Sequence, residues 1–178
     1  MRYLPRLAAG AAVALAALAT LATAVASTPS SPRFTWADGS ALPISGETHV
    51  WCGKWDDGAN IRTLRIQEGS PLSPPWWMLE VRVSIAHAGH TIRFPVLNGR
   101  TATMFVAYPR RQLEASAESE RSRGSVTVLD GVSCRPGALV RLAVHTTLAG
   151  EQTGTPSIAV RGTFAGVVGT TAGPGVNP

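Results

Sequence analysis

From Thr48 onward, apolar and polar residues alternate in short runs broken by Gly, Pro, Asp and Asn, and no long segment carries the 3.6-residue repeat of a helix. The clearest run is Trp77 to Ala86. Trp77, Leu79, Val81, Val83 and Ile85 fall on one face, and Met78, Glu80, Arg82, Ser84 and Ala86 on the other. With Ala88-Gly89 as a turn, Ile85 would meet Ile92, Val83 would meet Phe94 and Val81 would meet Val96, so a hairpin is expected from Trp77 to Leu97. Pro95 cannot donate to a ladder and marks an edge or bulge in its second strand. Asn98-Gly99 is a strong short-turn signal and leads into a strand over Thr101 to Tyr108, which would complete a three-stranded meander.

Gln112 to Gly124 turns polar, and reads as a short exposed helix or a solvated loop, with Glu118 in helical reach of Arg121 or Ser122. Alternation returns over Ser125 to Leu129, then over Leu139 to Leu148, where Val140, Leu142, Val144 and Leu148 share a face. It appears last over Ser157 to Phe164, with Ile158, Val160 and Phe164 in phase. Val50 to Cys52 and Ile61 to Ile66 bring the total to about eight strands. The fold class is all-β, an antiparallel β-sandwich, with a small closed β-barrel as the alternative.

The ends behave differently. Arg2 and Arg6 precede an apolar run from Leu7 to Ala22, and Ala24-Val25-Ala26 has the small-x-small form of a cleavage site, so residues 1–26 read as a signal peptide. No stable membrane span is expected once it is removed. Residues 27–47 read as a flexible lead-in that docks at most near Phe34 and Trp36. Residues 48–165 form the single β-domain, and 166–178 a fraying tail rich in Gly and Thr. Cys52 and Cys134 are the only cysteines; an exported chain meets an oxidising compartment, so they are expected to pair.

The formal charge of +5 falls to +3 when Arg2 and Arg6 leave with the signal. Arg33, Arg62, Arg65, Arg82, Arg93, Arg100, Arg135, Arg141 and Arg161 occur singly among apolar residues, not in a basic run, and on that ground no nucleic-acid partner is expected. His87 and His90 flank the Ala88-Gly89 turn and could share a metal, but two ligands are too few without a third. His49 and His145 have no evident partner in the sequence. Asp56, Asp57 and Asn60 lack the alternating oxygen ligands of a calcium loop. No Gly-x-Ser-x-Gly elbow is present, and no cofactor is expected.

Tryptophan supplies the binding candidates, because an outward indole can stack on a sugar or anchor a protein. Trp76 lies out of phase with the core face that carries Trp77, and Trp55 sits in the Gly53 to Gly58 turn region, so these two are the expected ligand-binding residues. Trp51, next to Cys52, is expected to pack on the disulfide.

Val50-Trp51-Cys52-Gly53, Trp55-Asp56-Asp57-Gly58, Trp76-Trp77, Ser125-Val126-Thr127-Val128 and Val160-Arg161-Gly162-Thr163-Phe164 form a layout that resembles small secreted proteins of actinobacteria. The resemblance implies export and a β-sandwich and carries no activity. The combined expectation is a secreted, non-catalytic module for an extracellular ligand: a glycan, a cell-wall component or a protein. Its alternatives are a small secreted hydrolase whose site converges only in the fold, and a carrier of a small molecule or metal.

Overall fold

A computed structural model describes residues 30–54, 61–96, 101–108, 114–150 and 154–170. Among these described residues ten strands follow in chain order: β1 (Arg33–Trp36), β2 (Thr48–Lys54), β3 (Arg62–Ser70), β4 (Ser73–Arg82), β5 (Thr91–Phe94), β6 (Ala102–Ala107), β7 (Glu114–Ser116), β8 (Arg123–Val128), β9 (Leu139–Gly150) and β10 (Ile158–Val167). Every pairing is antiparallel. Sheet I runs β1-β10-β9-β8-β5 and sheet II runs β2-β3-β4-β6-β7. They are halves of one surface, because the end of β9 continues into sheet II and pairs Ala149 and Gly150 with Ser116 and Ala115 of β7. The all-β sheet is thus curled into a half-barrel whose halves pack face to face, between the sandwich and the barrel weighed from sequence.

Period-two alternation builds the core. Val140, Leu142, Val144 and Leu148 of β9 meet Leu64, Ile66, Leu79, Val81, Met104 and Val106 of sheet II, with Trp77, Ile158, Val160 and Phe164 in the same cluster. Phe34 and Phe164 both lie against Trp77, with ring centroids at 5.4 and 6.2 Å. The indole Nε1 of Trp77 donates to Glu68 Oε2 at 2.9 Å, which satisfies its buried polar atom.

The expected Trp77 to Leu97 hairpin does not form. A single 3-10 turn at Val83–Ile85 follows β4, and the chain crosses to the other sheet, where β5 pairs with β8. β4 instead lies between β3 and β6, so Val81 faces Leu64 and Ala102 across the ladder. Alternation had placed Ile92 and Phe94 in the core correctly, but it is indifferent to which of two facing sheets delivers them there. The Thr101 to Tyr108 strand exists, beside β4 and not β5, so there is no meander; Leu97, Asn98 and Gly99 lie outside the described residues.

The polar stretch before Ser125 is neither helix nor simple loop. Ala115 and Ala117 are buried, and Ser122 donates its hydroxyl to Ser116 O at 2.6 Å while accepting from Ala149 N at 2.8 Å. The folded unit also extends past the expected limits of Thr48 and Ala165. Phe34 and Leu42 enter the core, β1 pairs with β10, and Val168 is buried with Gly169 N donating to Val50 O at 2.7 Å. The segment 1–26 lies outside the described residues.

Cys52 and Cys134 form the expected disulfide, with Cα atoms 5.6 Å apart. It ties β2, at the edge of sheet II, to the loop between β8 and β9. That loop also meets the end of β10, since Gly137 N donates to Val168 O at 2.8 Å.

Candidate functional site

The side of sheet I turned away from the core gathers cationic residues. Antiparallel register sets Arg33 opposite Arg161, Arg161 opposite His145, His145 opposite Ser125, and Ser125 opposite Arg93. These five side chains form one row across all five strands. At about 4.8 Å per strand interval the row is roughly 19 Å long. Two residues along, Thr35, Ala159, Thr147 and Arg123 make a second row; on the other flank Thr163, Ala143, Thr127 and Thr91 make a third. The hydroxyls of Thr91 and Thr127 are 3.0 Å apart.

The five strands hold Arg33, Arg93, Arg123, Arg141, His145 and Arg161, all exposed, and not one Asp or Glu. Among the described residues, Arg141 has the carboxylate of Asp130 in the adjoining loop at 3.6 Å. Arg161 Nη1 meets His145 Nε2. A guanidinium can only donate, so the imidazole nitrogen is the acceptor of this pair.

One glycine makes the row possible. Gly124 has φ +109°, and a Cβ added there would stand 2.1 Å from His145 O and 2.7 Å from Thr146 Cα. Only Gly lets β8 come this close to β9 in that conformation, and the approach sets Ser125 against His145. Arginines that stand scattered along the sequence are therefore gathered in space. A single arginine at the outward position of each of several strands produces a basic face with no basic run.

Sheet II has a different outer surface. Arg65 and Glu80 are paired and buried at 2 % and 5 % exposure, and Arg65 Nη2 also donates to Lys54 O at 3.0 Å. Gln67 donates to Gly69 O at 3.0 Å. Trp51 is buried there, on the opposite side of β2 from Val50. Trp76 is half-buried and rests edge-on against Phe105, with centroids 4.8 Å apart. Trp55, the other expected binding residue, lies outside the described residues.

Sequence reading passed over a third aromatic. Trp36, at the end of β1, stacks on Tyr108 with centroids 5.1 Å apart and planes 27° from parallel. Tyr108 donates its hydroxyl to Pro156 O at 2.5 Å, and burial pushes the phenol up to about 12. Trp36, Ala37, Asp38, Ser40 and Pro156 line an open cleft of about 470 Å³. Asp38 Oδ1 accepts from both the amide and the hydroxyl of Ser40, at 2.9 and 2.6 Å, and these bonds hold its carboxyl below the usual carboxylate range. The Pro-rich stretch before Phe34 had suggested a lead-in, which hid this cleft.

His87 and His90 do come together across the Ala88-Gly89 turn, ring centroids 4.9 Å apart. His87 Nδ1 lies 3.4 Å from Ala88 O, and among the described residues no group of three His, Cys, Asp or Glu side chains is placed to hold a metal. His49 sits 3.6 Å from Glu47. Among the described residues no helix is long and apolar enough to cross a membrane. No protein-family model, no curated protein and no solved structure matches the chain.

Proposed function

We propose that the protein is an exported, non-catalytic binding module that meets its ligand across the outer face of sheet I. The observation that carries this reading is the row Arg33, Arg161, His145, Ser125 and Arg93. Long flexible cations cost side-chain entropy when held, and like charges set directly opposite on a sheet destabilise it. A face built this way is accounted for by a ligand that supplies the missing counter-charge. The disulfide supports export, since such bonds persist in oxidising compartments.

The test is a thermal-shift screen of the disulfide-bonded protein against cell-wall fragments and extracellular polymers. A ligand at a hundred times its dissociation constant stabilises by about 2.7 kcal/mol. The expected result is a shift that shrinks in Arg161→Gln and Arg93→Gln and persists in Trp76→Ala. A ligand whose shift survives both arginine substitutions overturns this placement.

A second reading rests on the cleft at Trp36. An indole face beside an ionised carboxylate and a hydroxyl is suited to a single sugar ring, by stacking and hydrogen bonding. Its test is quenching of tryptophan fluorescence by monosaccharides, with Asp38→Asn as the variant; unchanged affinity in that variant removes the reading.

A further inference from the structure

We infer that the ligand of the sheet I face is a linear acidic polysaccharide, lying along the row with its carboxylate, sulfate or phosphate groups paired to Arg33, Arg161 and Arg93. This deepens the reading above and rests on it. Charge selects the class first. Among the residues of these five strands there is no carboxylate to repel a polyanion, and the arginines are exposed and forked, suited to bidentate oxyanion contacts.

Shape selects next. The row crosses every strand and is roughly 19 Å long, with Arg33 beside Arg161 and Arg93 three strand intervals further on, so it presents cations along a line in place of one concave pocket. An extended chain with regularly spaced anions can engage all of it at once. The flanking threonines add hydroxyls on both sides of the row, which can exchange hydrogen bonds with sugar hydroxyls: Thr35 and Thr147 on one flank, Thr91, Thr127 and Thr163 on the other.

The outward side chains then exclude the competitors. The imidazole of His145 is the one aromatic ring among them and no Phe, Tyr or Trp of these described strands faces outward, so the broad stacking platform by which sheets hold single-stranded nucleic acid is missing. A broad five-stranded face does not enter a duplex groove, which admits a helix or a two-stranded ribbon. Leu139 and Val167, exposed and paired at the far end of β9 and β10, stand six residues from the row, so the row itself offers no large apolar side chain to insert into a bilayer or anchor a protein interface. His145 adds to the face without opposing it. Its Nε2 meets Nη1 of Arg161, which stands in the row beside Arg33.

The experiment measures affinity of the full disulfide-bonded chain for four probes: a polyuronate, dextran sulfate, neutral dextran and an oligo-deoxythymidine of matched length. The expected outcome is binding to the polyuronate or the dextran sulfate, the stronger of the two identifying the anion. Dextran is expected not to bind, and the oligonucleotide to bind at least tenfold more weakly. Three arginine contacts should give a log–log salt slope of about −2. Arg161→Gln and Arg93→Gln should each weaken binding roughly three- to fivefold and flatten that slope, while Arg82→Gln, exposed on sheet II, should change neither.

Dextran binding that is lost in Arg161→Gln would overturn the acidic class and leave the face as the binding surface. Oligonucleotide binding as tight as that of the glycans overturns the glycan assignment in favour of a charge surface without selectivity. Glycan binding unmoved by either arginine substitution overturns the inference and the placement on sheet I together.

Discussion

Arg33 and Arg161 face each other directly across the β1–β10 ladder, two guanidinium groups at opposed positions with Phe34 and Val160 paired one step along. The apolar pair holds the edge strand to the sheet, and the charged pair works against it. Replacing Arg33 by Thr keeps a strand-compatible residue and removes the repulsion. The variant is expected to be more stable by about 0.2–1 kcal/mol in chemical unfolding at low salt, with the gain shrinking at high salt. A loss of stability at both salt concentrations would show that the pair is not repulsive.

Gly124→Ala is expected to destabilise the fold by at least about 1–3 kcal/mol, the cost of an L side chain held in a strained backbone region. The cause is steric as well as conformational, since the new methyl points at the carbonyl of His145. Gly39→Ala offers the comparison: φ there is +84°, and a Cβ meets nothing within 4 Å. Thermal midpoints of the two variants should differ, with Gly124→Ala clearly lower.

Breaking the disulfide with Cys52→Ser and Cys134→Ser together is expected to cost about 4–5 kcal/mol on the chain-entropy model, given the separation of 82 residues. Urea midpoints of the oxidised protein and the double variant measure it. A difference under about 1 kcal/mol would mean that the unfolded chain is already compacted without the bond.

Tyr108 predicts the alkaline limit of stability. Its phenol is raised to about 12 in the folded protein, against about 10 in the unfolded chain. Below pH 10 both states keep the proton and the contribution is fully present. Between about pH 10 and 12 the unfolded state loses its proton first, so stability falls as pH rises through this window. Tyr108→Phe should be less sensitive over the same interval, read as unfolding free energy against pH. An equal fall in the variant would assign the alkaline loss to other groups.

How much of this was legible in the chain depends on the distance over which each feature is decided. The core face of β9 is written locally, since Val140, Leu142, Val144 and Leu148 need only their own alternation, and each is almost fully buried. The partner of β5 is not local. Ile92 and Phe94 satisfy the core from either sheet, and the 3-10 turn at Val83–Ile85 carries the chain from one to the other. The arginine row lies furthest from sequence view. Each strand contributes one unremarked outward residue, and the row exists only once four separate registers have been set. Trp36 is hidden for the opposite reason: the prolines before it have the composition of a loose end, whereas Phe34 and Leu42 anchor that segment in the core.

β9 belongs to both halves of the curled sheet, so on that side there is no plane along which one half can slide over the other. The molecule is bound like a book, with β9 as its spine. Relative motion is left to the opposite margin, where Gly169, just past β10, donates to Val50 of β2 and where the disulfide closes the covers as a clasp. Tension on a bound polymer would be passed through the five-stranded page it lies on to that spine, and the clasped margin would be the first place to gape when the clasp is reduced.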